Sequence, residues 1–415
     1  MAHREILKVI EKFELDKLIH EHIKKTGTDE SFFIVNVGDI VEKFILWYDL
    51  MPRVDPDYAF KCNNHPFVVG TLAALGAGYD CASRGEIEKV LEMGVGPEKI
   101  VFAQTVKPVS HINYAKDRNV RLMTFDNEDE LYKVKKHFSD AELLIRLRFD
   151  PKSTNKISFG EKFGCMPGEA SEFLLRKATE LKLNVKGVAF HIGVGCLEYE
   201  IFIKAIKDSA AAFKYGNSLG LKMDLLDIGG GYPGKETETI TGVSKAVNES
   251  FRKYFDGAPL KIISEPGTYF TEKSFTLVAN VHSRNVKIDE NGDEIFHYYI
   301  TDGIYQSFNM NSLHGVDIDV RTLKETPKET PLKKSIIWGR ACDPHDIVLK
   351  DILLPELQCG EWLIFENSGS YRISTSTFFN GFPNHPVYGF IEKKIWETFN
   401  KMRVPHIKLM YDVHE

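Results

Sequence analysis

A chain of 415 residues, 43% hydrophobic and 27% charged, is long enough for two domains, or for one large barrel with a smaller companion, and can bury a sizeable core. Its formal charge of −6 offers no polycationic face, so nucleic-acid binding is not expected, and no run of about 18 apolar residues is present to span a membrane. Cys62, Cys81, Cys165, Cys196, Cys342 and Cys359 are scattered with no CxxC pair, which argues against a disulfide framework and a zinc ribbon; no metal is expected.

The first 25 residues, MAHREILKVIEKFELDKLIHEHIKK, read as an amphipathic helix with mixed acids and bases, not as a signal or transit segment, and point to a cytoplasmic location. Eight strand-like runs follow: YAFK (58–61), YDCAS (79–83), IVFAQ (100–104), LMTFD (122–126), LLIRLRF (143–149), GVAFHIG (187–193), LLDIGGG (225–231) and KIISEPG (261–267). Between them lie stretches such as RGEIEKVLEMG and NEDELYKVKKH, whose apolar residues recur at three- and four-residue spacing. Eight β-then-α units predict an α/β fold, a (β/α)8 barrel of the TIM type.

The texture changes after about residue 272. FTLVANVHSRNVKI, EIFHYYIT, KSIIWG, EWLIFEN and HPVYGFIEKK alternate apolar and polar residues between turn signals such as DENGD and CGE. The expected organisation is therefore a barrel over 37–271 and a β-rich domain over 272–415, completed by residues 1–36. DVRTLKETPKETPLKK (319–334) is polar and proline-interrupted, as in a surface loop.

In such a barrel the active site lies at the C-terminal ends of the strands. The predicted ends carry Lys61, Asp80 with Cys81, Gln104, Asp126, Arg146 with Arg148, His191, Gly229 to Gly231, and Glu265. A purely structural core would end its strands in apolar or turn residues. Lys61 would start inside an apolar mouth, where desolvation lowers an amine's pKa toward nucleophilic use; solvent exposure is the alternative. Glu265 needs a cationic partner to stay ionised, either a protonated pyridine nitrogen or an ordinary Lys or Arg. Three consecutive glycines expose backbone N–H groups suited to a phosphate, although tight turns also use glycine.

With YAFKCN around Lys61, HIGVGC at 191–196, DIGGGYPG at 227–234, EPG at 265–267 and WGRACDPHD at 338–346, the chain resembles the eukaryotic ornithine decarboxylases over nearly its whole length. The wider family includes diaminopimelate and arginine decarboxylases. The resemblance implies an alanine racemase-like barrel with a β domain and pyridoxal 5′-phosphate as cofactor. It also implies a head-to-tail homodimer with shared active sites, and conversion of L-ornithine to putrescine in polyamine biosynthesis. By the same resemblance, Lys61 is the Schiff-base lysine, His191 stacks on the cofactor, and Glu265 meets the pyridine nitrogen. Gly230, Gly231, Pro266, Gly267 and Tyr371 lie around the phosphate. Cys342, from the opposite subunit, returns a proton to the substrate carbon, and Asp302 and Asp343 face the distal amino group. Asp80, Glu86, Arg146 and Phe379 match positions lining the site. An acidic pair suits a second ammonium, whereas diaminopimelate would need a reader for its distal carboxylate.

Two positions depart from the family pattern: Val194 stands where the family has a phosphate-binding serine, and Thr268 where it has a phosphate-binding arginine. A charged hydrogen bond is worth roughly 1.5 to 3 kcal/mol and a neutral one about 1, so the cofactor would bind tens to thousands of times more weakly. Arg340 beside Cys342 is an additional cation. The alternatives are a regulator resembling antizyme inhibitor and a decarboxylase of another basic amino acid. Residues 107–130 align with the family's antizyme-contacting region, making an antizyme-like protein a candidate partner. The closing segment IWETFNKMRVPHIKLMYDVHE has no tail rich in Pro, Glu, Ser and Thr, so tail-dependent turnover is not expected.

Overall fold

Two strands, β1 (Glu5–Ile10) and β2 (Phe32–Asn36), precede the barrel in this computed structural model, which describes residues 4–149, 162–193, 199–235, 237–314, 318–325, 327 and 329–414. Eight parallel strands then close on themselves: β3 (Asp55–Ala59), β4 (Gly78–Cys81), β5 (Ile100–Phe102), β6 (Leu122–Phe125), β7 (Glu142–Arg148), β8 (Asn184–His191), β9 (Leu225–Asp227) and β10 (Lys261–Ser264). The closure is β10 pairing with β3.

Helices run between successive barrel strands, and their local signals are legible. Glu128–His137 opens with Glu128, Asp129 and Glu130, closes with Lys135, Lys136 and His137, and buries Leu131 and Val134. Acids thus sit at the positive end of the helix dipole and bases at the negative end. Asn127 caps it by accepting from the Glu130 N–H at 2.9 Å, satisfying one of the first-turn donors.

Side chains alternate along a strand, so residues two apart share a face. Val101, Leu144, Ala189, Leu225 and Ile263 form an apolar plug. Two residues further along, the same inward parity delivers Arg146, His191, Asp227 and Glu265 to the layer above it. The layered interior of the barrel therefore builds the polar mouth.

The second body is a ten-stranded mixed sheet. Its remaining strands are β11 (Phe275–Ile288), β12 (Glu294–Ile300), β13 (Val320–Thr322), β14 (Leu332–Trp338), β15 (Ile347–Pro355), β16 (Trp362–Phe365), β17 (Val387–Glu392) and β18 (Tyr411–His414). The order is β15-β14-β12-β11-β2-β17-β1-β18, with β16 on β11 and β13 on β16. β11 pairs with β2 and β16 through its first half and with β12 through its second, with a register shift between Val281 and Ser283. Such an irregularity lets one strand serve two arrangements.

Three expectations change here. The N-terminal helix is instead β1 followed by a helix over Leu15–Thr26, because parallel pairing with β17 and β18 buries Leu7. Val320–Thr322, inside the expected surface loop, pairs with β16. Lys61 lies not on a strand but in a single 3-10 turn, Phe60–Cys62, after β3. The β-rich body clamps this turn: the Tyr371 N–H donates to the Cys62 carbonyl at 2.8 Å, and Asn63 Nδ2 donates to the Gly369 carbonyl at 2.8 Å.

Candidate active site

The turn after β3 aims Lys61 at Asp80 on β4, and the Lys61 ammonium donates to Asp80 Oδ2. The Lys61 side chain keeps 38% of its surface accessible while that of Asp80 has none, so the amine stands at the open end of a buried well. Burial works to lower the Lys61 pKa, but Asp80 and Glu265 outweigh it and the net displacement is upward. The expected depression does not occur, because two carboxylates face the ammonium directly. Asp80 Oδ1 is buried without a hydrogen-bond partner.

Across the well, β8 ends in His191, whose Nδ1 accepts from the Gly193 N–H at 3.0 Å. Burial, with the nearby charges of Arg146 and Lys61, holds its pKa well below the usual histidine value. His191 is therefore a neutral ring at physiological pH. Glu265, just beyond β10, is buried. Its pKa is pushed well above the usual carboxylate range by burial and by Asp227 and Asp80, against the pull of Lys61 and Arg146. Glu86, in the first turn of the helix after β4, accepts from the Ala82 N–H at 2.6 Å.

The glycines after β9 leave space that a side chain would fill. A Cβ on Gly230 would lie 2.6 Å from the Glu265 carbonyl oxygen and 2.8 Å from His191 Nε2. Gly231 has φ 115° and would place a Cβ 2.8 Å from the Gly193 carbonyl. Gly267, after Pro266, presses its Cα face to Cys62. Thr268 begins a four-residue helix, Thr268–Thr271. Tyr371 is bound by its backbone to Cys62 and adopts a left-handed φ of 54°. Val194 lies outside the described residues.

A second group sits on the β-rich body. Cys342 is exposed, with its N–H on Asn380 Oδ1 at 3.0 Å. The Asp343 carboxylate accepts from the Tyr305 hydroxyl and from the His345 N–H, which together hold its pKa down to about 2. The Phe379 ring stacks on Tyr305 with centroids 4.2 Å apart. Among the described residues, the hydrogen bonds and ring contacts of Cys342, Asp343 and Phe379 run to this group and not to Lys61.

Asp302 lies on the β-rich body as well. It is fully buried, His385 Nε2 stands 3.0 Å from its Oδ2, and its Oδ1 accepts the Gly303 and Ser307 N–H groups. The carboxylate is thus buried beside His385. Tyr305 falls within TDGIYQSFN (301–309), which resembles the ornithine branch, but its pairing with Asp343 was not foreseen, and His385 carries no motif; only folding brings them to Asp343 and Asp302. Arg340 resolves as an anchor: its guanidinium reaches Glu30 at 2.6 Å, donates twice to Gln306 Oε1, and covers the Phe382 ring.

Residues 37–272 match the family described as pyridoxal-dependent decarboxylase, pyridoxal binding domain. Ornithine decarboxylase 2 of Drosophila melanogaster is 39% identical over 378 residues, which cover 91% of this chain and 93% of that protein. Antizyme inhibitor 2 of Xenopus laevis is 38% identical over 395 residues, covering 92% and 86%. Among solved structures, the arginine decarboxylase of Paramecium bursaria Chlorella virus superposes with a TM-score of 0.86 at 30% identity, covering 91% of this chain and all of that one. The chain belongs to the ornithine decarboxylase family of pyridoxal-dependent decarboxylases.

Pyridoxal phosphate is the cofactor of this family, and the well fits it. Glu265 is a buried carboxyl short of positive charge, as a protonated ring nitrogen would require. Gly230 and Gly231 keep side chains out of a cradle that a Cβ would obstruct. Among the described residues, Lys61 offers an amine at the centre of these groups, with a buried carboxylate beneath it. No helix among the described residues is long and apolar enough to cross a membrane.

Proposed function

We propose that the chain decarboxylates L-ornithine to putrescine in the cytoplasm, with pyridoxal 5′-phosphate held on Lys61. The observation that carries this reading is the buried well in which Lys61, Asp80, His191 and Glu265 converge beside the glycine cradle. When bound, the cofactor supplies a protonated ring that accepts the electrons left by departing carbon dioxide. Glu265 keeps a negative charge opposite the ring nitrogen. His191 presents a neutral aromatic plane to one face, and its neutrality avoids opposing that positive ring. Asp80 orients the Lys61 amine, while Arg146 supplies positive charge on the far side of the well. Gly230, Gly231, Gly267, Thr268 and Tyr371 would hold the phosphate, to which the consecutive backbone N–H groups of the glycine turn would donate.

Cys342, Asp343 and Phe379 complete the site from the second copy of a head-to-tail homodimer. There Cys342 returns the proton to the substrate carbon and Asp343 receives the distal ammonium. The low pKa of Asp343 keeps it charged at any physiological pH, as reading a cation demands. Asp302, buried beside His385, faces the distal ammonium together with Asp343.

The test is carbon dioxide release from L-ornithine, lysine and arginine across a titration of pyridoxal phosphate. Saturable release, fastest from ornithine and abolished in Lys61→Ala, is expected. Persistence in Lys61→Ala refutes the role of Lys61. A flat zero at every cofactor concentration, with binding to an antizyme, would move the chain to the regulatory reading.

A further inference from the structure

Asp227 takes no part in the functions assigned above, yet it lies in the same inward layer as Glu265. It ends β9, pairs with Ile263 on β10, and is fully buried. Gly229 joins it to Glu265: the Gly229 N–H donates to Asp227 Oδ1 at 2.8 Å, and the Gly229 carbonyl accepts from the Glu265 N–H at 2.8 Å. Asp227 Oδ2 is buried without a hydrogen-bond partner. Two carboxyl groups on adjacent strand ends thus share one enclosed space, one of them with an unused oxygen.

We propose that Asp227 and Glu265 share a single proton, and that Asp227 is the positioning residue that limits the pair to one negative charge beneath the cofactor ring. The inference rests on the reading that Glu265 faces that ring. Like charges on adjacent strand ends in a dry site do not both ionise, and the proton that one retains serves both oxygen sets. The neighbouring ionisable groups do not remove the conflict. Asp57 from β3 and Asp80 from β4 add negative charge, while Lys61 and Arg146 supply the positive charge and Lys61 is already bonded to Asp80. His191 on β8 is neutral, and Tyr232, beyond β9, is a buried phenol held protonated by burial. Burial raises both Asp227 and Glu265, and each is raised further by other carboxylates nearby.

Loss of the shared proton places a second negative charge under a cofactor that is net anionic through its phosphate. Affinity for the cofactor then falls as pH rises. Asparagine at 227 keeps an oxygen for the Gly229 N–H, mimics the protonated acid and cannot lose the proton.

Equilibrium binding of pyridoxal phosphate, read by absorbance and protein fluorescence between pH 6 and 9, tests this in wild type and Asp227→Asn. The wild-type dissociation constant is expected to rise at least fivefold more than that of the variant over the range. Equal pH dependence in the two proteins overturns the proposal. Thermal unfolding without cofactor gives a second readout: wild type loses stability from pH 6 to 9 more steeply than Asp227→Asn or Glu265→Gln, and parallel curves for all three overturn it. Wild type that binds no cofactor refutes the functional reading, while the unfolding series still decides the shared proton.

Discussion

Replacing Asp57 by asparagine removes a carboxyl buried low in the barrel, and the structure fixes both the sign and the size of the effect. Asp57 faces Gly78 on the next strand, where a Cβ would lie 2.0 Å from Asp57 Oδ1; glycine makes the room the carboxyl occupies. Burial pushes the Asp57 pKa up to about 8 from 3.8, with Lys261 and Lys99 pulling it back. A carboxyl whose pKa is higher folded than unfolded contributes stability that is complete below about pH 4 and is lost as pH climbs toward 8. The slope is about 1.4 kcal/mol per pH unit inside that window. Asparagine mimics the protonated acid, so its advantage over wild type grows by roughly 2.7 kcal/mol between pH 5.5 and 7.5. With an unfolding entropy of about 2.1 cal/mol/K per residue, a 415-residue chain converts this to about 3 °C. Thermal unfolding of both proteins across pH 5 to 9 is the assay. A Tm difference that stays constant, or shrinks as pH rises, refutes the reasoning.

Gly230→Ala is expected to weaken pyridoxal phosphate binding more than tenfold, because the new Cβ meets the Glu265 carbonyl and the His191 ring, whereas Gly85→Ala, whose Cβ would come no nearer than 3.9 Å to Ser83 Oγ, leaves binding unchanged in the same absorbance titration. Glu130→Gln strands the Lys107 ammonium, which lies 2.9 Å from Glu130 with both side chains buried; urea unfolding should show a loss of about 3 to 5 kcal/mol. Arg340→Ala deletes the guanidinium bonds to Glu30 and Gln306, and amide hydrogen exchange over 340–346 should accelerate about tenfold, as for a loss of roughly 1.4 kcal/mol.

The barrel was legible because each of its units repeats one physical pattern, a short apolar strand followed by a helix with three- and four-residue periodicity. The positions of Lys61, His191 and Glu265 followed from the same repeat, since strand ends point to one face of a parallel barrel. The N-terminal strand was less legible. Glu5–Ile10 carries apolar residues at spacings that a helix also uses, and only the partners β17 and β18, nearly 400 residues away in sequence, choose between the two. β18 escaped notice for the same reason.

Sequence by itself thus determined the alternating architecture, the switch to a β-rich body, and the residues that line the well, because these depend on local periodicity and on motifs of adjacent residues. Tertiary structure alone decided their charge and company. Lys61 is an ammonium held by Asp80 because folding sets two strand ends together. Asp302 is buried beside His385, 83 positions later in the chain, because folding sets the two 3.0 Å apart. Arg340 anchors its loop because Glu30, from the other end of the chain, comes within 2.6 Å. Burial and electrostatic coupling depend on distance in space, and distance in space is what the linear order of residues leaves open.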